Sequence, residues 1–244
     1  MIHIDIDRIN WVYQQAQLEN KIQLKEKALS AITKIIENQA VAFAWLQLAK
    51  DKCSLAATYQ PFQDSLQRWQ YLAALKLIDE GSKIIQNDNT VKNELENLRL
   101  NILSKKLSIR TELIDIPNKP FRALVEYKNV DTLYYRILAL PIEYAKPNDL
   151  GEFSIKKLCN KESLQQNKQW LPVTHDFQIH QVEIKLGPLP PGEYLLLAST
   201  GKNFNDTSDN INYQPFQVSN ISLIQNKTDF FVLNRETGKP IPKI

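Results

Sequence analysis

Glycine is scarce in this 244-residue chain, six in all, and methionine occurs once, at the first position. Too few glycines cluster to build a loop that cradles a phosphate on its backbone N–H groups. A single methionine likewise excludes a Met-rich, adaptable binding groove. The two cysteines, Cys53 and Cys159, stand more than 100 residues apart with no metal-ligand or redox spacing, so they read as two separate thiols. No run of 18 apolar residues exists to cross a bilayer as a helix. The N-terminal Met1-Ile-His-Ile-Asp-Ile-Asp-Arg8 has acids where a secretory signal needs basic residues, and it lacks an apolar centre. The net charge is only +3: residues 1–104 hold 12 basic and 12 acidic side chains, the remainder 18 and 15. Neither half is basic enough to point to nucleic acid.

What is present divides by periodicity. From Asp7 to about Lys105 the apolar spacing is helical. Ile22, Leu29, Ile32 and Ile36 fall on one stripe, and Val41, Trp45, Leu48 and Ala49 on another, with Asn38 and Gln39 at the break. Gln60-Pro-Phe-Gln-Asp64 interrupts the pattern, and Asp64 is a candidate cap. Leu66, Trp69, Ala73, Leu77 and Ile84 make a third stripe. After Asn87-Asp-Asn-Thr90, Val91, Leu95, Leu98 and Ile102 make a fourth. Four amphipathic helices with short connections predict stacked antiparallel hairpins over residues 1–105, of tetratricopeptide (TPR)-like size. Trp45 and Trp69 lie on apolar stripes and are expected in the core, with a peptide-binding groove as the alternative.

From Leu107 the period becomes two. Leu107, Ile109, Thr111 and Leu113 alternate with polar residues, as do Phe121, Ala123, Val125 and Tyr127. Leu133-Tyr-Tyr-Arg-Ile-Leu-Ala-Leu140 is apolar on both faces apart from Arg136, which predicts a central strand. Residues 141–169 break the pattern, with one short helix placed within 154–166 and the rest read as loop. Strands resume at Phe177 and Ile179, then Val182, Ile184 and Leu186. Leu189-Pro-Pro-Gly-Glu-Tyr194 is a turn feeding a buried strand, in which the Tyr194 hydroxyl can tie back to the corner. Tyr213, Phe216 and Val218 begin a last strand, running on through Ile221 and Leu223. The result is an α+β chain of two domains, with an antiparallel β-sandwich over 106–220. Residues 221–244 read as a linker and the first strand of a following domain: Phe231 and Leu233 alternate with Val232 and Asn234, and Glu236-Thr-Gly-Lys-Pro240 is a turn. A strand and a half cannot bury a face, so the expectation is a piece of a longer, multidomain protein.

Three stretches together carry a family resemblance. They are Asn118-Lys-Pro-Phe-Arg-Ala-Leu-Val-Glu-Tyr-Lys-Asn129 with Leu133-Tyr-Tyr-Arg-Ile137, then Leu189-Pro-Pro-Gly-Glu-Tyr194, then Phe216-Gln-Val-Ser-Asn-Ile-Ser-Leu223 leading into Phe231-Val-Leu-Asn-Arg-Glu-Thr-Gly-Lys-Pro240. With Asp7-Arg-Ile-Asn-Trp-Val-Tyr13 and Arg68-Trp-Gln-Tyr71, this pattern resembles the alpha-2-macroglobulin-like proteins of Bacteroidetes-type bacteria, at their N-terminal helical region and first macroglobulin-like domain. The resemblance implies a scaffold segment of an envelope protein at the periplasm or outer-membrane surface, with a part in protease trapping through serial Ig-like domains. Its partners would be a protease or envelope protein and later domains of its own chain. The family's thioester has the form Gly-Cys-x-Glu-Gln; Cys53 in Lys-Cys-Ser-Leu and Cys159 in Leu-Cys-Asn-Lys do not match it.

Direct signs of chemistry are few, and no catalytic residue, cofactor or metal is predicted. His175 and His180, five apart, fall on opposite faces of a strand and cannot share a metal there. His175-Asp176 lacks a recognisable nucleophile elbow, and His3 stands alone. Ile4-Asp5-Ile-Asp7 reads as a strand edge or helix cap rather than a calcium loop. Asn205-Asp-Thr207, Asn220-Ile-Ser222 and Asn226-Lys-Thr228 fit the glycosylation sequon, a weak motif in an Asn-rich chain. Trp170 is the first candidate for a sugar- or protein-contacting aromatic, on an expected loop. The alternative function is therefore a stand-alone adhesion or carbohydrate-binding module.

Overall fold

The computed structural model describes every residue except 36–37, 64, 86–88, 142–143, 145–149, 151, 205–208 and 243–244. The expectations placed on Ile36, Asp64, Asn87-Asp88 and the Asn205-Asp-Thr207 sequon fall outside the described residues. The architecture is α+β and divides into two compact units. The first is Met1–Ser104 with Thr174–Gln178; the second is Lys105–Val173 with Ile179–Ile244.

The first unit holds α1 (Ile2–Gln15), α2 (Lys21–Ile32), α3 (Ala42–Ala56), α4 (Gln70–Ile84) and α5 (Asn89–Leu103). A 3-10 turn at Gln39–Val41 precedes α3, and the Asn38 side chain caps it by accepting from Ala40 N at 3.0 Å. Ile2 and Ile6 on α1 and Leu29 and Ile32 on α2 face Ala44 and Leu48 of α3 in one core. Ala42, Leu46 and Ala49 on the other side of α3 meet Ala74, Ile78, Val91, Leu95 and Ile102 in a second. Helix α3 serves both cores because its alanines let neighbours approach closely. Fully burying side chains such as Leu29, Ile78 and Leu95 contributes roughly 1.5–3 kcal/mol each. Gly81 on α4 is required by the same closeness: a Cβ there would sit 2.8 Å from the Trp45 Cβ and 3.2 Å from Leu95 Cδ1.

Several expectations for this half are corrected. This unit holds five α-helices among its described residues, not four, because a further helix runs from Ile2 to Gln15 and takes in Ile4-Asp5-Ile-Asp7. That stretch is neither a strand edge nor a cap. Ile22 is exposed, while Lys25 occupies the buried stripe with Leu29. The third stripe begins too early: α4 starts at Gln70 and buries Ala74, Ile78 and Gly81, so Leu66 and Trp69 precede it and are exposed. Trp45 is half-buried against the first core. In the fourth stripe Val91, Leu95 and Ile102 are buried, and Leu98 packs beside them.

The second unit is built on two sheets. One has the order β1-β3-β6, from Lys106–Thr111, Phe121–Lys128 and His180–Leu186. The other has the order β2-β8-β7-β4-β5, from Ile114–Asp115, Ile211–Val218, Gly192–Ser199, Thr132–Ala139 and Gln165–Trp170. Leu107, Ile109, Ala123 and Val125 from the first sheet pack with Leu133, Ile137, Leu196 and Phe216 from the second. The sandwich is not wholly antiparallel, since β2 pairs with β8 in parallel. Nor is it two layers only. The outer face of β4 and β7, at Leu138, Leu195 and Leu197, packs with Ile155, Leu158 and Cys159 of α6 (Glu152–Cys159). That cover is why β4 and β7 are apolar on both faces.

Side chains finish the sandwich. Asn212 Oδ1 and Gln214 Oε1 accept from the Ile109 and Thr111 backbone N–H groups at 2.9 and 3.2 Å, and Gln214 Nε2 donates to Thr111 O at 2.9 Å. These amides occupy part of the open edge of β1, which would otherwise invite another strand. The Tyr194 hydroxyl donates to Pro190 O at 2.8 Å, closing the Pro-Pro-Gly corner. Arg136 lies over the Phe204 ring at 4.2 Å and donates from Nη1 to Cys159 O at 2.9 Å, where the carbonyl end of α6 favours a cation.

Further expectations change. The helix expected within 154–166 ends at Cys159, residues 165–170, expected as its end and as loop, form the edge strand β5, and Phe177, expected as a strand residue, has φ 59° and belongs to the helical unit. The last expected strand ends at Val218. A separate hairpin follows, β9 (Ile221–Asn226) with β10 (Asp229–Asn234), turning at Lys227 with φ 54°. Beyond it Asn234 Oδ1 accepts from Glu236 N and Thr237 N, and Gly238 takes φ 68° in the expected turn.

Candidate interaction surface

Trp170 stands at the end of edge strand β5 rather than on a loop, opposite Thr132, and is 66% exposed. The Lys168 ammonium lies 5.3 Å from its ring centroid. The polar side chains of Gln166, Asn167 and Gln169 share this exposed strand. The histidines are not brought together on one strand. His3 is on α1, with its ring centroid 4.1 Å from that of Phe43; His175 lies in a bend at φ 54° in the helical unit; His180 opens β6. Among the described residues no group of three or more His, Cys, Asp or Glu could hold a metal. Cys53 and Cys159 are not in a disulfide. No described helix is long and apolar enough to cross a membrane. Of the remaining sequons, Asn220 falls between β8 and β9, and Asn226 ends β9.

Two networks that the sequence reading missed organise the helical unit. In the first, Asp176 is wholly buried and its Oδ2 accepts from Arg68 Nε at 2.7 Å. Its Oδ1 accepts from Thr174 Oγ1 at 2.8 Å and from Gln178 N at 3.1 Å. Gln178 Nε2 donates to the carbonyls of Ala56 and Arg68, and Phe177 packs against the second helical core. The carboxylate holds Arg68 above its ordinary pKa through the hydrogen bond and the charge. Left-handed φ at both His175 and Phe177 is costly for side chains of this kind, and the Asp176 bonds and Phe177 packing offset it. His175-Asp176, weighed as part of a catalytic set, is thus part of a structural anchor.

In the second network, Lys25 is buried to 9% exposure on α2. Its Nζ donates to the Asp51 carboxylate at 2.8 Å and lies 4.7 Å from the Tyr13 ring centroid. Gln47 Nε2 donates to Asp51 Oδ1 at 2.9 Å, and Asn10 Nδ2 to Gln47 Oε1 at 3.4 Å. The available signal was a lysine on an apolar stripe, four residues before Leu29.

The β9–β10 hairpin exposes apolar side chains. Ile221, Leu223, Phe230 and Val232 are exposed on one face of this two-stranded sheet, and Ile224 and Phe231 on the other. A hairpin of two strands is marginal in water without a surface to pack on, and contiguous exposed apolar side chains mark interaction sites.

No family model matches the chain, and no curated protein matches it. Among solved structures it is similar to the CARDB domain of the PF1109 protein from Pyrococcus furiosus, at 14% identity and TM-score 0.28, over 48% of this chain and 88% of that one. It is also similar to the superoxide reductase (neelaredoxin) from Ignicoccus hospitalis, at 7% identity and TM-score 0.24, over 48% of this chain and 80% of that one. Likenesses this distant carry no argument about function.

Proposed function

We propose that this chain is a non-catalytic scaffold segment of an alpha-2-macroglobulin-like protein of the bacterial envelope, acting in protease trapping through protein–protein contacts. The observation that carries the reading is the β9–β10 hairpin, whose six exposed large apolar residues sit on a sheet too small to stand alone. In this reading the hairpin and the Thr237-Gly-Lys-Pro240 turn after it seat a neighbouring domain. The sandwich is a stiff, macroglobulin-like segment braced by α6, and the helices form TPR-like hairpins that receive partners. The close approach of Gly81, near the end of α4, to Trp45, near the start of α3, supports the hairpin arrangement. The test is to read the coding sequence beyond Ile244 and then assay the full-length product for protease trapping. Serial sandwich domains, and retention of a cleaving protease in a high-mass complex, are expected. A gene without further sandwich domains overturns the reading.

A second reading is an adhesion or carbohydrate-binding module, favoured by Trp170, which stands exposed on β5 among the amide side chains of Gln166, Asn167 and Gln169. Glycan titration followed by tryptophan fluorescence tests it. Binding that Trp170→Ala abolishes supports it, and absence of binding across an array rejects it.

A further inference from the structure

Two cavities flank Tyr13 and Lys25 in the helical unit. One, of about 300 Å³, is lined by α2 and α3 with the end of α1. The other, of about 290 Å³, lies between α1 and α2 and the turn joining them. Their charges differ. In the first, Lys25 is matched by Asp51, and Lys52 by Glu26 at 2.8 Å, so the positive charge is neutralised on the spot. The second is lined by Arg8, Lys21 and Lys25 and by no carboxylate among the described residues. Its walls are otherwise apolar, and Val12, Leu18 and Leu24 are exposed there.

We propose that this α1–α2 groove docks an acidic, apolar peptide segment of a partner protein. Lys25 is committed to Asp51 and acts as the fixed floor. Lys21 Nζ donates only to the Ala16 carbonyl, at 3.2 Å, and lies 5.0 Å from the Tyr13 ring centroid, so it meets no carboxylate among the described residues. The ammonium keeps donors for an incoming one. Arg8 is held by Asp5 in an exposed i,i+3 pair, an interaction weak enough to be exchanged. An acid placed beside Lys21 is partly desolvated by the apolar wall, which strengthens the pairing over one in open water. The lining runs from Arg8 to Ala16 along α1 and from Lys21 to Ala28 along α2, so the groove extends for roughly 12 Å, about two helical turns, at 1.5 Å per residue. That length suits apolar anchors spaced along a peptide rather than one compact headgroup. The proposal goes beyond the scaffold reading and does not depend on the macroglobulin resemblance.

The test selects displayed random peptides of about twelve residues on the full chain, long enough to span such a groove whether helical or extended. Enriched sequences are expected to combine Asp or Glu with Leu, Ile, Phe or Trp. A synthetic representative should lose at least about tenfold in affinity on the Arg8→Glu/Lys21→Glu protein, and as much on Leu24→Glu. These surface changes should leave the circular dichroism spectrum unaltered. The same peptide with its acids changed to lysine should bind the charge-reversed protein better than the original does, a gain that misfolding cannot produce. No enrichment, enrichment without acids, or full affinity on the charge-reversed protein overturns the proposal. So does binding of phosphatidylglycerol vesicles that the peptide fails to displace, since the ligand would then be a lipid surface.

Discussion

Replacing Arg68 by methionine isolates the cost of leaving the Asp176 carboxylate without its counter-ion. Asp176 is wholly buried, whereas the Arg68 side chain is about one-third exposed. Removing one partner of a fully buried pair costs about 3–5 kcal/mol. Because water reaches the arginine side and screens the pair, the cost falls below that range, to about 2–3 kcal/mol. Asp176→Asn keeps an oxygen to accept from Thr174 and Gln178 but turns an NH2 donor toward the Arg68 Nε–H, so it loses the charge-assisted bond and sets donor against donor, at a cost of about 1.5–3 kcal/mol. Asp176→Ala removes every acceptor and frees the left-handed His175 and Phe177 from their restraint, so it is the most severe of the three. Arg68→Met combined with Asp176→Asn should cost less than the sum of the single changes, with a coupling of about 1–2 kcal/mol. Urea unfolding followed at 222 nm reports the helices. Tryptophan fluorescence reports the site, because the Arg68 guanidinium lies 5.1 Å from the Trp69 ring centroid. An Arg68→Met cost below about 0.5 kcal/mol, the level of an ordinary surface substitution, or strict additivity in the double variant, refutes the reasoning.

Three other outcomes are expected. Gly81→Ala should lower the thermal midpoint: the helix gains about 1 kcal/mol in propensity, but a Cβ 2.8 Å from the Trp45 Cβ costs about 1–3 kcal/mol in overpacking. A stabilised variant would show that α3 and α4 separate easily. Asp115 has its pKa raised to about 6 by burial first and by the Glu112 charge second, against a weak opposing bond from Thr111. Its folded pKa exceeds its unfolded one, so its stabilising contribution is full below about pH 4 and is lost as the pH rises through about 6. Denaturant midpoints measured from pH 4 to 7 should show this fall, and Asp115→Asn should flatten it. Gln214→Ala leaves the Thr111 N–H and C=O without their amide partners and should cost about 1–3 kcal/mol. Faster hydrogen exchange at Thr111 would confirm the site of the loss.

Periodicity was readable wherever one face of an element meets one core. The Val91, Leu95, Leu98 and Ile102 stripe, the alternation of β3 and the double-sided β4 all appear at the expected positions. The Tyr194 corner was readable because its partner, Pro190, is four residues away. Reading failed where an element serves two neighbours or where polarity masks its role. Strand β5 is made of Gln, Asn, Lys and Trp, and only its pairing with β4 reveals it. Trp69 sits at a helical spacing from Leu66 and Ala73, yet the helix begins one residue later and leaves it exposed.

The amino-acid order alone determined the division into a helical part and a sheet part, because a period of 3.6 and a period of two are local properties of neighbouring residues. It also determined the corner turns and the low charge. Only the tertiary structure decided that Thr174–Gln178 belongs with the helices and that Asp176 is buried against Arg68, 108 residues away in sequence. Only it decided that α6 covers the second face of β4 and β7, and that Lys21, Arg8 and Lys25 line one apolar groove. The reason is physical: burial, charge pairing and groove shape depend on which surfaces meet across long sequence separations, and no window of adjacent residues contains that information.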